Sequence, residues 1–186
     1  MLVLFEPDPP EVNHPPGYDL RNVPGIRDTA LLIPCYKSAG LIANTLDAAL
    51  KIFPPEHIFV IANGNSPTPL DNTEEVVRPY SVTHIWSPVG SKIVAQFVGC
   101  YDARDFKYML LIDDDRALPP NFPIVSDRMK GNVKCIGYTI KSVGPNSSRG
   151  TLCQQAQDLE YKISGLQRDL AGKIRSATFP HGAISI

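Results

Sequence analysis

A short apolar segment that ends in three consecutive aspartates constrains the fold of this chain more than any other feature. Residues 108–115 read YMLLIDDD. A continuous apolar run of this length, bounded by polar residues, is typical of a strand buried on both faces of a parallel sheet. The segment therefore predicts an α/β domain with this strand inside it and the aspartates at the strand's carboxyl end.

The spacing of the three carboxylates indicates a cation site. Side chains alternate along an extended segment, so Asp113 and Asp115 point to one side and Asp114 to the other. Adjacent carboxylates repel one another unless a cation lies among them, and Mg²⁺ and Mn²⁺ prefer such oxygen ligands. Open α/β sheets bind their ligands at the carboxyl ends of strands. The alternative is an acidic turn that binds nothing.

Apolar periodicity predicts regular structure from residue 29 onward. We predict strands over residues 30–33, 57–62, 81–86, 108–112 and 133–140. The predicted helices span residues 38–50, 72–78, 91–101, 123–129 and 152–170. This alternation favours a mostly parallel, three-layer α/β/α fold. Right-handed crossovers would bring three polar strand ends to one edge of the sheet, at residues 34–38, 63–66 and 113–115.

Three helices carry further expectations. Ser38 is predicted to cap the first long helix. One apolar face of the helix over residues 91–101 comprises Ile93, Val94, Phe97, Val98 and Tyr101. The last helix has an apolar stripe at Leu152, Ala156, Leu159, Ile163, Leu166 and Leu170. So narrow a stripe needs a partner surface, which is either the sheet or a docked segment or membrane interface.

Composition limits the class of protein. The chain has 186 residues and a net charge of −1, which does not suggest a nucleic-acid-binding surface or a polybasic membrane patch. The four cysteines form no C-x-x-C pair, so we expect free thiols in a reducing compartment. Residues 1–28 form a proline-rich extension and residues 29–186 the predicted domain. The chain contains no signal peptide core or apolar run long enough for a membrane span, so a soluble chain is expected.

Five motifs in order resemble family 2 glycosyltransferases of the GT-A fold. The first four read LLIPCYK at 31–37, FVIANGNS at 59–66, GSKIVAQ at 90–96 and LLIDDD at 110–115. The fifth, QDLEY at 157–161 followed by PHGAIS at 180–185, is similar to the acceptor side of processive polysaccharide synthases of the hyaluronan, chitin and cellulose synthase-like group.

The resemblance implies roles for particular residues. Nucleotide-sugar binding is implied for Pro34, Tyr36, Asn63, Lys92, Asp113 and Asp114. Asp113 and Asp115 would hold Mg²⁺ or Mn²⁺, which would neutralise the leaving diphosphate. His181 and Gly182 would lie on the acceptor side. The implied partners are a UDP-linked nucleotide-sugar donor and a glycan acceptor, with inversion at the transferred sugar.

The sequence departs from the family pattern at two places. Ala62 and Asn63 stand where the family carries an acidic residue that holds the base, although Asn63 can still hydrogen-bond a base edge. The chain also ends at Ile186, before the acidic general base that an inverting transfer needs. We therefore expect a truncated domain that binds the donor without full activity. The full-length protein would lie at the cytoplasmic face of a membrane.

Other functions fit less well. A non-catalytic GT-A-fold partner domain, docking through residues 152–170, is consistent with the missing base. A nucleotidyltransferase would carry a glycine-rich phosphate loop after the first strand, where this chain has Pro34 to Lys37. A D-x-D phosphatase would carry its acidic residues on the first strand rather than on a late one.

Overall fold

The computed structural model describes residues 23–120, 122–144, 148–174 and 184–186. The described residues divide into two compact units. The first contains residues 23–134 with Ile186, and the second contains the described residues between 135 and 185.

The first unit alternates strands and helices. Its strands are β1 (Thr29–Cys35), β2 (Ile58–Asn63), β3 (Thr83–Ser87) and β4 (Tyr108–Ile112). Its helices are α1 (Pro24–Arg27), α2 (Ile42–Ala49), α3 (Thr73–Val77) and α4 (Lys92–Asp102). Short 3₁₀ turns lie at Pro55–His57, Arg78–Tyr80 and Ser126–Arg128.

These four strands form a parallel sheet in the order β3-β2-β1-β4. Leu31 of β1 lies opposite Ile58 on one side and Leu110 on the other. Every residue of β1 and β2 is buried, as expected for strands covered on both faces. From β1 the chain runs through β2 to β3 at one edge of the parallel sheet. It then crosses back to β4, which lies on the other side of β1. Right-handed crossovers in opposite directions place α2 and α4 on opposite faces, which confirms the predicted three-layer α/β class.

Helix α4 packs on the sheet through small residues. Ala95 and Gly99 are buried, whereas Ile93, Phe97 and Tyr101 are 77%, 72% and 66% exposed. The three largest members of the predicted apolar face are therefore exposed, and smaller residues make the contact with the sheet. The close approach explains the difference, because a Cβ on Gly99 would lie 2.7 Å from Cδ1 of Ile61.

The two capping positions behave differently. Ser91 caps α4 as its position suggests, and its hydroxyl accepts the Val94 N–H at 3.4 Å. Helix α2, however, begins at Ile42 after Leu41, with no side-chain cap. The predicted Ser38 cap was wrong, since only its backbone carbonyl accepts the N–H groups of Leu41 and Ile42.

Two predicted elements are much reduced. Residues 123–129 contain only the 3₁₀ turn Ser126–Arg128 instead of a helix. The predicted strand over residues 133–140 is, in the described chain, a single antiparallel bridge between Gly137 and Ser185. Burial alternates from residue 136 to 140, so the period-2 pattern is present. The bridge partner Ser185 lies in β5 (Ile184–Ser185).

The second unit contains the long helix α5 (Leu152–Ile174), which confirms the predicted last helix. Five of the six members of its apolar stripe are exposed, namely Leu152, Ala156, Leu159, Ile163 and Leu170. The interpretation of the whole stripe as buried against the sheet was therefore wrong. Within the described ranges, no helix combines the length and apolar character needed to cross a bilayer.

A Gly99→Val substitution tests the close packing of α4. The added side chain would press on the fully buried Ile61, and overpacking of this kind costs about 1–3 kcal/mol. Urea unfolding should show that loss. The matched variant Phe97→Val changes an exposed position on the same helix and should stay within about 0.5 kcal/mol of wild type. Equal stability of Gly99→Val and wild type would contradict the packing described here.

His84 on β3 should make stability depend on pH. Its Nε2 has no hydrogen-bond partner among the described residues, and burial lowers the pKa of the imidazole despite the opposing charges of Glu74 and Asp71. A lowered folded pKa means that the unfolded chain binds the proton more readily. Stability is therefore retained above the ordinary histidine pKa of about 6.5 and lost as pH falls below it. Urea unfolding should show that the free energy of unfolding falls less between about pH 7 and about pH 5 in His84→Gln than in wild type. Equal losses of stability in the two proteins would show that His84 does not cause the pH dependence.

Candidate functional site

A cavity of about 770 Å³ lies in the first unit at the carboxyl ends of β1, β2 and β4. It adjoins the point where the strand order reverses, between β1 and β4, which is the usual ligand site of open α/β sheets. Seven predicted site residues line it: Pro34, Tyr36, Asn63, Lys92, Asp113, Asp114 and Asp115. The remaining two, His181 and Gly182, lie outside the described residues. Five lining residues were not predicted: Cys35, Lys37, Asn65, Leu70 and Gly90.

The first aspartate after β4 is paired with a lysine. Asp113 lies directly beyond Ile112, and its Oδ1 accepts a hydrogen bond from Nζ of Lys92, forming an ion pair. Lys92 is the first residue of α4, placed there by the Ser91 cap. Half of the lysine side chain remains exposed, so its ammonium stays accessible from the cavity.

The second aspartate is held from the opposite side. The hydroxyl of Ser38 donates to Oδ2 of Asp114, and the hydroxyl of Thr45 donates to the Asp114 backbone carbonyl at 2.7 Å. Both donors are buried, with exposures of 1% for Ser38 and 2% for Thr45. Asp114 is therefore tied to α2 and to the loop before it.

The third aspartate is the most open. Oδ1 of Asp115 lies 3.1 Å from Nε of Arg116, and half of the Asp115 side chain is exposed. The contact is an ion pair without hydrogen-bond geometry, since Nε of Arg116 has no hydrogen-bond partner among the described residues. The three carboxylates thus face three different partners. In the described part of the chain, no three acidic, histidine or cysteine side chains are grouped to enclose a metal.

The end of β1 supplies a buried thiol and a strained backbone position. Burial, together with the smaller effect of the Asp114 charge, raises the pKa of the Cys35 thiol to about 12, although a hydrogen bond with Ser38 opposes the rise. Such a thiol is a poor nucleophile. Lys37 has φ of 53°, a left-handed conformation that is uncommon outside glycine. Its ammonium lies 5.6 Å from the ring centroid of Tyr36, which is exposed.

The end of β2 is fixed by amide hydrogen bonds. Nδ2 of Asn63 donates to the Cys35 carbonyl at 2.7 Å, and Oδ1 of Asn65 accepts the Gly90 N–H at 2.7 Å. These bonds join the loop after β2 to the end of β1 and to the loop before α4. The Asn-Gly-Asn turn signal marked this loop in the sequence, but only the Gly90 contact reveals that Asn65 lines the cavity.

An apolar wall completes the cavity beside this loop. Leu70 lies against Gly64, where a Cβ would be 2.4 Å from its Cδ1 and 3.0 Å from Trp86. Gly64 therefore permits Leu70 and Trp86 to close over the loop.

Alkylation should distinguish Cys35 from the exposed thiols. At about pH 8 a thiol with a pKa of about 12 is almost fully protonated, so Cys35 should not react with iodoacetamide in the folded protein. Cys135 and Cys153 are exposed and should be labelled. Peptide mass spectrometry reads each site, and denaturation in urea provides the control in which all four thiols react. Labelling of Cys35 at the rate of Cys153 would contradict its burial.

Comparisons with known proteins give a family and weaker structural likenesses. A crystal structure of S. aureus TarS 1-349 is 19% identical over 54% of this chain and 30% of that one, with a TM-score of 0.43. A crystal structure of S. aureus TarS is 20% identical over 47% of this chain and 16% of that one, with a TM-score of 0.39. The matched part is thus less than a third of either TarS chain. No curated protein sequence matches significantly.

The family assignment comes from a match that extends through the first unit and onward to the last residue. Residues 24–186 match the model described as "Glycosyltransferase like family 2". The parallel sheet with helices on both faces is consistent with the GT-A, Rossmann-like fold expected for that family. The chain belongs to the glycosyltransferase-like family 2.

Proposed function

We propose that this chain binds a nucleotide-diphosphate sugar, UDP-linked, in the cavity at the ends of β1, β2 and β4, and that it serves the transfer of the sugar to a glycan acceptor with inversion. The observation that carries the proposal is the convergence of Asp113, Asp115 and Lys92 on one cavity in a member of this family. The end of the cavity that contains Asp113, Asp115 and Lys92 suits a diphosphate. The end formed by β1 and β2 suits a nucleotide base.

The carboxylates support a divalent cation of the Mg²⁺ or Mn²⁺ type. Carboxylate oxygens fit these hard ions, which commonly take one or two carboxylates and complete their coordination with substrate phosphates and water. Asp113 and Asp115 would hold the ion, consistent with the absence of a larger acidic cluster among the described residues. When bound, the ion would neutralise charge on the departing diphosphate as a Lewis acid.

Lys92 is proposed to contact the phosphates from the other side of the acidic turn. Its ammonium is paired with Asp113 but half exposed, so it can reach an anion in the cavity without leaving the pair. A fixed cation near developing negative charge stabilises a leaving group more than it stabilises the neutral sugar. In this role the lysine would stabilise the negative charge of the diphosphate and would not transfer a proton.

The base would lie toward the ends of β1 and β2. Tyr36 offers an exposed aromatic face for stacking. The amide nitrogen of Asn63 is occupied by the Cys35 carbonyl. That leaves its amide oxygen, which can accept the N3–H of uracil. This acceptor replaces the carboxylate that the family pattern carries at this place.

The alternative function is a non-catalytic partner domain of the same fold. The exposed stripe on α5 favours it, since Leu152, Leu159, Ile163 and Leu170 are large apolar residues on one helix. Such a domain would dock on another chain or at a membrane interface and would not need the donor. Nucleotide binding separates the two proposals.

Calorimetric titration of the chain with UDP in the presence of Mn²⁺ tests the donor site. We expect saturable binding that EDTA weakens. Asp115→Ala should weaken the Mn²⁺-dependent affinity by about tenfold or more, equivalent to about 1.4 kcal/mol or more. UDP binding measured in EDTA should change little, because the aspartate acts through the cation.

Asp105→Ala is the matched control. Asp105 is an exposed carboxylate of the same unit outside the cavity, so its removal should leave both titrations unchanged. Absence of UDP binding by the wild-type chain would overturn the proposal and favour the partner domain. Equal Mn²⁺-dependent affinities of wild type and Asp115→Ala would remove the aspartate from the cation site.

A further inference from the structure

The acidic turn after β4 is held in place by residues outside the sheet. Backbone pairing of β4 with β1 ends with Leu111 opposite Leu32, before the first aspartate. Within the turn, the Arg116 N–H donates to the Asp113 carbonyl at 3.2 Å, which closes the turn on itself. Neither interaction fixes the turn relative to the rest of the cavity wall.

The Lys92–Asp113 ion pair connects the turn to α4. Two hydroxyl groups connect it to α2 and to the loop before α2, and both bind the middle residue. Ser38 donates to the carboxylate of Asp114 and Thr45 donates to its backbone carbonyl. One bond therefore fixes the side chain and the other fixes the peptide unit that joins Asp114 to Asp115. Since a buried hydroxyl without a partner is costly, the two donors also favour this single arrangement.

The donors come from the element that forms the opposite wall. Ser38 follows Lys37 in the loop after β1, and its carbonyl accepts the first N–H groups of α2. Thr45 lies one turn into α2. The bonds thus join the β1–α2 connection to the end of β4 across the point where the strand order reverses. This joins the proposed base side of the cavity to its proposed diphosphate side.

We propose that Asp114, Ser38 and Thr45 form a positioning clamp, and that Asp114 does not contact the donor. The clamp fixes Asp113 and Asp115 on either side of it at the spacing that the cation requires. This assignment differs from the sequence-based prediction that Asp114 binds the nucleotide sugar. The identity of the ligand rests on the proposed function. The clamp itself consists only of contacts within the chain.

The clamp can first be tested without any ligand. Hydrogen exchange followed by mass spectrometry should show faster exchange of the peptide containing residues 113–116 in Ser38→Ala and in Thr45→Val. Thr45→Ser keeps the hydroxyl and should retain most of the protection. Thr73→Val is the matched control, because Thr73 is also buried and its hydroxyl donates to an aspartate, Asp71, at 2.7 Å. Unchanged exchange of this peptide in both clamp variants would overturn the clamp.

UDP titrations then test the functional consequence. In Mn²⁺, Ser38→Ala and Thr45→Val should each weaken UDP binding by about tenfold, since a shift of the carboxylates impairs the cation site. In EDTA their UDP affinities should follow wild type, a separation that general destabilisation would not produce. Thr73→Val should show neither effect.

Asp114→Asn distinguishes a clamp from a ligand. The asparagine keeps an oxygen that can accept the Ser38 hydroxyl, so this variant should weaken Mn²⁺-dependent binding less than Ser38→Ala does. The reverse order, with Asp114→Asn as damaging as Asp115→Ala and the hydroxyl variants neutral, would identify Asp114 as a ligand. If the wild-type chain binds no UDP, the proposed function fails, and the hydrogen-exchange result alone decides whether the clamp exists.

Discussion

The parallel pairing of β1 with β2 on one side and with β4 on the other determines the rest of the structure. It requires the chain to reverse its direction across the sheet, so the loops after β1 and β4 diverge to opposite faces and leave a crevice between them. Two backbone carbonyls at this edge accept hydrogen bonds from side chains of other elements. Asn63, the last residue of β2, donates to the Cys35 carbonyl, and Thr45 of α2 donates to the Asp114 carbonyl.

The three aspartates illustrate how the fold manages adjacent like charges. Their mutual repulsion is reduced because each carboxylate faces a different group: an ammonium, a hydroxyl and a guanidinium. The alternation predicted for an extended segment does not apply here, because Asp114 and Asp115 lie in a turn closed by the Arg116 N–H and the Asp113 carbonyl. The Cys35 thiol adjoins the same charge, and its raised pKa reflects burial first and Asp114 second. The site is therefore organised by contacts within the chain itself.

Much of this arrangement followed from the sequence. Apolar runs ending in polar residues identified β1, β2 and β4, and the crossover rule then brought their ends together, which placed seven predicted residues on one cavity. The contacts that organise the turn were not predictable, because Ser38 and Thr45 are 76 and 69 residues from Asp114 in the chain. Helical periodicity also misled at α4, since it weights Ile93 and Phe97 above the small residues that allow close packing. Residues 133–140 were predicted as a strand, but the described residues show only the bridge at Gly137.

The Lys92–Asp113 pair has a consequence for the order in which ligands would bind. A divalent ion arriving alone would place its charge beside an ammonium that already neutralises one of the two proposed ligands. A diphosphate brings negative charge that compensates both the ion and the lysine, and it supplies oxygen ligands that the described residues lack. The lysine would then contact phosphate as well as Asp113. Under the proposed function the ion and the nucleotide would therefore bind as a pair, because the ammonium of Lys92 would oppose a cation that arrives without the nucleotide.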